Sequence, residues 1–119
     1  MALTYTAIAT VTISSATAAS IDFQNIPATY TDLLVSVSAR NDSASVNPGL
    51  VLKLNNSSAN FSGRNIYGNG SSAAFYTDTS GEIGVLAGGN ATASTFGNAQ
   101  IYIPNYTSSN NKSISTDLS

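Results

Sequence analysis

The side chains best placed by type to do acid–base chemistry in this chain of 119 residues are six carboxylates: Asp22, Asp32, Asp42, Asp78, Glu82 and Asp117. There is no His and no Cys. Within these residues a Ser-His-Asp or Cys-His nucleophile cannot be assembled, and neither can a His- or thiolate-ligated metal site. Catalysis here would have to come from paired carboxylates.

One run tempts that reading. Asp78-Thr79-Ser80-Gly81 approaches the turn that presents the carboxylate of a dimeric aspartic hydrolase, but an extra residue separates Thr79 from Gly81. The same four residues make an ordinary β-turn, with Asp first and Gly last. Turn chemistry is the reading adopted, and no catalytic residue is assigned. Asn41-Asp42-Ser43 offers oxygen ligands to calcium, yet no segment alternates several acids as a calcium loop does. No metal or cofactor is expected. Eight Asn-x-Ser/Thr triplets, beginning at Asn41, Asn55, Asn56, Asn60, Asn69, Asn90, Asn105 and Asn111, are what an Asn/Ser/Thr-rich composition produces.

Six Tyr against four Phe and no Trp point to a different chemistry. A tyrosine ring stacks on a sugar face and keeps a hydroxyl for bonding. Tyr67 next to Gly68-Asn69-Gly70, and Asn105-Tyr106 next to Thr107, fall in or beside turns. Tyr67, Asn69, Asn105 and Tyr106 are therefore the candidates for contact with a glycan or a partner. The alternative is that these tyrosines, like Tyr5, Tyr30, Tyr76 and Tyr102, sit at sheet borders with wet hydroxyls.

The elements that would carry these residues are strands. Period-two alternation runs through residues 5–13 (Tyr5, Ala7, Ala9, Val11 and Ile13 against Thr6, Thr10 and Thr12, with Ile8 out of phase), 33–40, 50–54, 99–103 and 114–118. Weaker strand patterns lie at 21–23, 64–68, 72–77 and 82–87. Asn-, Gly- and Pro-rich breaks separate them, among them Asn25-Ile26-Pro27, Asn47-Pro48-Gly49, Asn55-Asn56 and Gly88-Gly89-Asn90. No convincing helix is found. The seven residues 14–20 are Ser, Ala and Thr, too few to hold one. About nine short strands near ten-residue spacing predict one antiparallel β-sandwich or barrel over residues 1–119. The strand pattern is still running at Leu118-Ser119, so the fold is expected to lack C-terminal strands.

Composition narrows the partners. Only 8% of residues are charged and the net charge is −2, whereas Ser, Thr and Asn are abundant. Such a surface repels its own copies weakly and tolerates close packing. Arg40, Lys53, Arg64 and Lys112 are scattered, whereas a phosphate backbone needs clustered cations, so nucleic acid is not an expected partner. No apolar run approaches the ~20 residues of a spanning helix, and a membrane is not expected either. The first residues carry no basic and apolar leader pattern, so synthesis in a cytosol is expected.

Several stretches resemble a family of small virion proteins from tailed phages, especially those of marine bacteria and cyanobacteria. They are residues 1–14, Ile21-Asp22-Phe23, the run from Ile26-Pro27-Ala28-Thr29-Tyr30 to Leu34, Leu52-Lys53-Leu54-Asn55, Arg64-Asn65-Ile66-Tyr67-Gly68-Asn69-Gly70, and Ile103-Pro104-Asn105-Tyr106 through Ser113. The resemblance covers nearly the whole chain through the order of these motifs. It implies a jelly-roll-like β-sandwich in a virion, as capsid decoration or as part of a head or tail fibre. It also implies partners among its own copies (a homotrimer is expected) and other virion proteins, with no catalytic residues. Family members run on into a further pair of strands. The alternative function is a receptor- or glycan-binding module of a tail fibre, meeting a host surface glycan.

Overall fold

The computed structural model describes residues 5–14, 17–68 and 70–119. It is all-β: seven short strands and no helix among the described residues. In chain order they are β1 (Leu33–Ala39), β2 (Gly49–Val51), β3 (Gly63–Gly68), β4 (Ala73–Asp78), β5 (Glu82–Val85), β6 (Gly97–Ile103) and β7 (Ser115–Leu118). All ladders between them are antiparallel.

The largest sheet has the order β1-β6-β7. Alternation decides its two faces. Leu33, Val35, Val37 and Ala39 of β1 point inward beside Ala99, Ile101 and Ile103 of β6, whereas Ser36, Ser38, Asn98 and Gln100 point outward. Ile101 and Ala99 are each 3% exposed and, with Ile103 and Leu86, make up the buried apolar core. Among the described residues no side chain reaches full burial.

A second layer is built from β2 and β5, and β5 crosses to the first sheet in two ways. Leu118 of β7 seats against Gly84, where a Cβ would lie 2.6 Å from its Cδ2. Thr116 Oγ1 donates to the Ile83 carbonyl at 3.1 Å. Beyond β5 the chain leaves β2 gradually. Leu86 N–H still donates to the Pro48 carbonyl, while Ala87 bridges Arg40 in parallel at the end of β1. Glycine is needed at Gly84 because its φ of 141° is open only to a residue without a Cβ. The third sheet is the β3–β4 hairpin, in register from Gly63↔Asp78 to Gly68↔Ala73.

Seven of the nine expected strands therefore form, several with trimmed ends. The stretch 50–54 pairs only to Val51, with a register shift between Leu50 and Val51, and then turns through Asn55 and Asn56, both at positive φ. Residues 5–13 and 21–23 do not form strands; they run as irregular backbone with exposed side chains. The correction has a physical cause. Alternation gives a segment the potential to be a strand, but a strand exists only where a neighbour supplies the ladder bonds, and among the described residues no segment pairs with these two.

Candidate functional site

Tyr67 lies near the end of β3, on the hairpin face that also carries Tyr76, with the two rings edge to face at 6.0 Å between centroids. It is 51% exposed. Tyr76 in turn donates its hydroxyl to Glu82 Oε1 at 2.5 Å. Desolvation, with the Glu82 hydrogen bond second, pushes the Tyr76 phenol up to about 12. The tyrosine pair thus has a fixed back, a wet front and an acid behind it. Asn69 lies outside the described residues.

Asn105 and Tyr106 sit in the turn that follows β6, on a different sheet from Tyr67. Asn105 takes positive φ (46°), which Asn tolerates, and its N–H donates to Asp32 Oδ1 at 2.8 Å. Tyr102 donates its hydroxyl to Asp32 Oδ2 at 2.7 Å. These bonds hold the Asp32 carboxyl below the ordinary 3.8, and the Tyr102 phenol rises in response, first through the same Asp32 bond. Tyr106 donates its hydroxyl to the Pro27 carbonyl. Lys112 Nζ donates to the Ser108 carbonyl, Ser108 Oγ and the Asn110 carbonyl, closing the same loop from below.

The three described candidates, Tyr67, Asn105 and Tyr106, are therefore not brought together. Tyr67 presents an open ring on the hairpin, whereas the Tyr106 hydroxyl and the Asn105 backbone N–H tie this loop to the segments around Pro27 and Asp32. No hydrogen bond or ring contact joins the two places among the described residues.

Asp78 is committed to the fold in the same way. Asp78 Oδ2 accepts the N–H groups of Ser80, Gly81 and Glu82 at 2.7–2.8 Å, while Oδ1 accepts the Ser80 hydroxyl at 2.6 Å. The Ser80 hydroxyl, with the three amides behind it, lowers the Asp78 pKa. Asp78-Thr79-Ser80-Gly81 is a self-capped turn. Asn41 Oδ1 accepts the Ser43 N–H at 2.7 Å, so Asn41-Asp42-Ser43 is a turn of the same type. Among the described residues no cluster of three or more acids is placed to hold a metal ion, and no helix is long and apolar enough to cross a membrane.

Two features escaped the sequence reading. The first is Arg40. Its Nη1 donates to the Thr92 and Thr95 carbonyls at 2.8 and 3.0 Å, and its Nη2 to those of Gly89 and Ala91 at 3.2 and 3.0 Å. One guanidinium shapes the whole loop between β5 and β6, and that loop sets Phe96 beside Val46 and Val85 in an open apolar depression. The second is the outer face of the hairpin. Ile66 and Phe75 are directly opposed in register and are 86% and 78% exposed. Alternation in both strands could have exposed this pair, because Tyr67 and Tyr76 face the other way.

Comparison with family models, curated proteins and solved structures finds no match for this chain.

Proposed function

We propose that this chain is a structural subunit of a phage virion surface, acting by self-assembly and protein contacts and not by catalysis. The observation that carries the reading is incomplete burial. A folded monomer of 12.2 kDa ordinarily exposes about 6,100 Å². This chain exposes 9002 Å², roughly half as much again. Its Cα radius of gyration is 15.4 Å, against about 13.5 Å for a typical domain of this length.

The surplus is apolar in part: Tyr5, Ile66, Phe75, Val46 and Phe96 are among seventeen large hydrophobic side chains left exposed among the described residues. Ile66 and Phe75, directly opposed in the hairpin, form one exposed apolar patch, and such a patch marks a contact region. Low charge lets copies approach without repulsion. The likeness to small phage virion proteins, and the jelly-roll-like sandwich it implies, supplies the setting: capsid decoration, or part of a head or tail fibre.

The test has two arms. Sedimentation velocity of the full chain should show a discrete oligomer at micromolar concentration, with a trimer expected. Mass spectrometry of purified particles should find the chain among their proteins. A chain monomeric at every concentration, or absent from the particles, overturns the reading.

The second reading, a glycan-binding fibre module, is favoured by one observation, the open Tyr67 ring backed by Tyr76. A glycan array in which binding is lost with Tyr67→Ala supports it. No binding at all removes it.

A further inference from the structure

The segment from Tyr5 to Thr31 is the least satisfied part of the chain. Its described residues make one hydrogen bond in total, the one Pro27 accepts from Tyr106. Yet residues 5–13 carry a long strand pattern, and its apolar members Tyr5, Val11 and Ile13 are 70%, 45% and 48% exposed. The segment has the side-chain order of a strand and none of the ladder.

Across the molecule, β1 is a strand edge without defences. It pairs on its β6 side alone within the sheet. Its seven residues, LLVSVSA, contain no charge and no Pro, and its register with β6 runs unbroken from Leu33↔Ile103 to Ala39↔Gly97. Edges that must stay free usually carry a Lys, a Pro or a bulge. The other edge of this sheet, β7, is four residues long and includes Asp117. β1 is therefore the acceptor best suited to a long incoming strand.

We infer that the open edge of β1 receives residues 5–13 of a second copy of this chain, so that subunits are joined by exchanged N-terminal strands. Nine residues of strand extend ~30 Å, enough to cover all of β1. The connecting residues 14–32 can span ~60 Å when extended, beyond the 41 Å longest dimension of the molecule, so the arm reaches a neighbour. The surplus surface of roughly 2,900 Å² is several times the ~800 Å² that one partner contributes to a standard interface. The inference rests on the self-assembly reading and adds the strand and edge that perform it.

The chain has no Cys, so introduced thiols report alone. Separately prepared Ala9→Cys and Ser36→Cys proteins, mixed and treated with a short bis-maleimide, should give a cross-linked pair of chains. If the double variant cross-links within a single monomeric chain while the mixture does not, the arm covers its own β1 and the inference is overturned. Ala9→Pro removes a ladder donor and should weaken association at least tenfold by sedimentation. Its circular dichroism should match that of the wild type diluted to monomer, because residues 5–13 hold no ladder in the single folded chain. A wild-type oligomer that Ala9→Pro leaves intact overturns the arm exchange and spares self-assembly. A monomeric wild type overturns both.

Discussion

Replacing Arg40 with Met keeps most of the aliphatic stem and deletes the fork that holds the loop at residues 89–95. Four carbonyls lose their donor. A protein hydrogen bond is worth about 0.5–1.5 kcal/mol net, and three of these four lie in exposed positions, so the low end applies. The expected loss is about 2 kcal/mol. With a urea m-value of ~1–2 kcal/mol per M for a domain of this size, the unfolding midpoint should fall by roughly 1–2 M in circular dichroism. Arg40→Lys separates charge from shape. An ammonium has three donors on one atom and cannot span carbonyls that the planar guanidinium reaches from two nitrogens, so it should recover less than half of the loss. Hydrogen exchange should localise the damage: the amides of Asn90, Ala91 and Thr95 bond within or beside this loop and should lose protection first. A Met variant with the wild-type midpoint, or a Lys variant indistinguishable from Arg, would refute the account of the loop as a guanidinium-built structure.

Ile101→Ala, at a position 3% exposed, should cost about 3 kcal/mol, as expected for three buried carbons plus a residual cavity. Its outward neighbour Gln100→Ala should stay within about 0.5 kcal/mol, and equal effects in thermal unfolding would contradict the assignment of the two faces. Gly88→Ala forces a Cβ to 2.2 Å from the Ser45 carbonyl oxygen, which is backbone and cannot yield, whereas Gly49→Ala meets only the tip of Glu82; the first should lose about 2–3 kcal/mol and the second under about 1, compared by urea midpoint. Stability against pH should be flat at neutrality and fall at both ends. Asp32 and Asp78 have lowered pKa values in the fold, so their contribution is present above the ordinary 3.8 and is lost as pH drops through the folded values. Tyr76, raised from 10.0 to about 12, and Tyr102, raised as well, contribute below pH 10 and lose that contribution as pH climbs toward 12. Midpoints measured from pH 2 to 12 that keep rising below pH 4 would contradict the carboxylate networks.

The strands that alternation located correctly are those whose partners lie within the described fold. β1 and β6 read plainly because Leu33, Val35, Val37 and Ala99, Ile101, Ile103 meet across one ladder, so pattern and partner agree. Residues 5–13 read equally plainly and failed, because periodicity records which faces differ and not whether a neighbour exists. The turns were legible through Asn: Asn25, Asn55, Asn56 and Asn105 all adopt positive φ. Asp78-Thr79-Ser80-Gly81 was legible as a turn, but its threefold amide capture by one oxygen was not. Nothing local to Arg40 signals that its four acceptors lie 49 to 55 residues further along. Of the binding candidates, Tyr67 is half exposed on its hairpin, while the Tyr106 hydroxyl is spent on Pro27, a pairing that depends on tertiary folding.

Glu82 deserves a last consequence. Its backbone sits opposite Val51 in the β2–β5 sheet, while its carbonyl and carboxylate accept Asn65 and Tyr76 from the β3–β4 hairpin. The β3–β4 ribbon therefore does not hang as a loose finger; Glu82 moors it from its inner side, next to the turn that Asp78 caps. Where that mooring points, the outer Ile66–Phe75 face must follow, so the aim of this exposed apolar pair is set by a residue on the ribbon's opposite side.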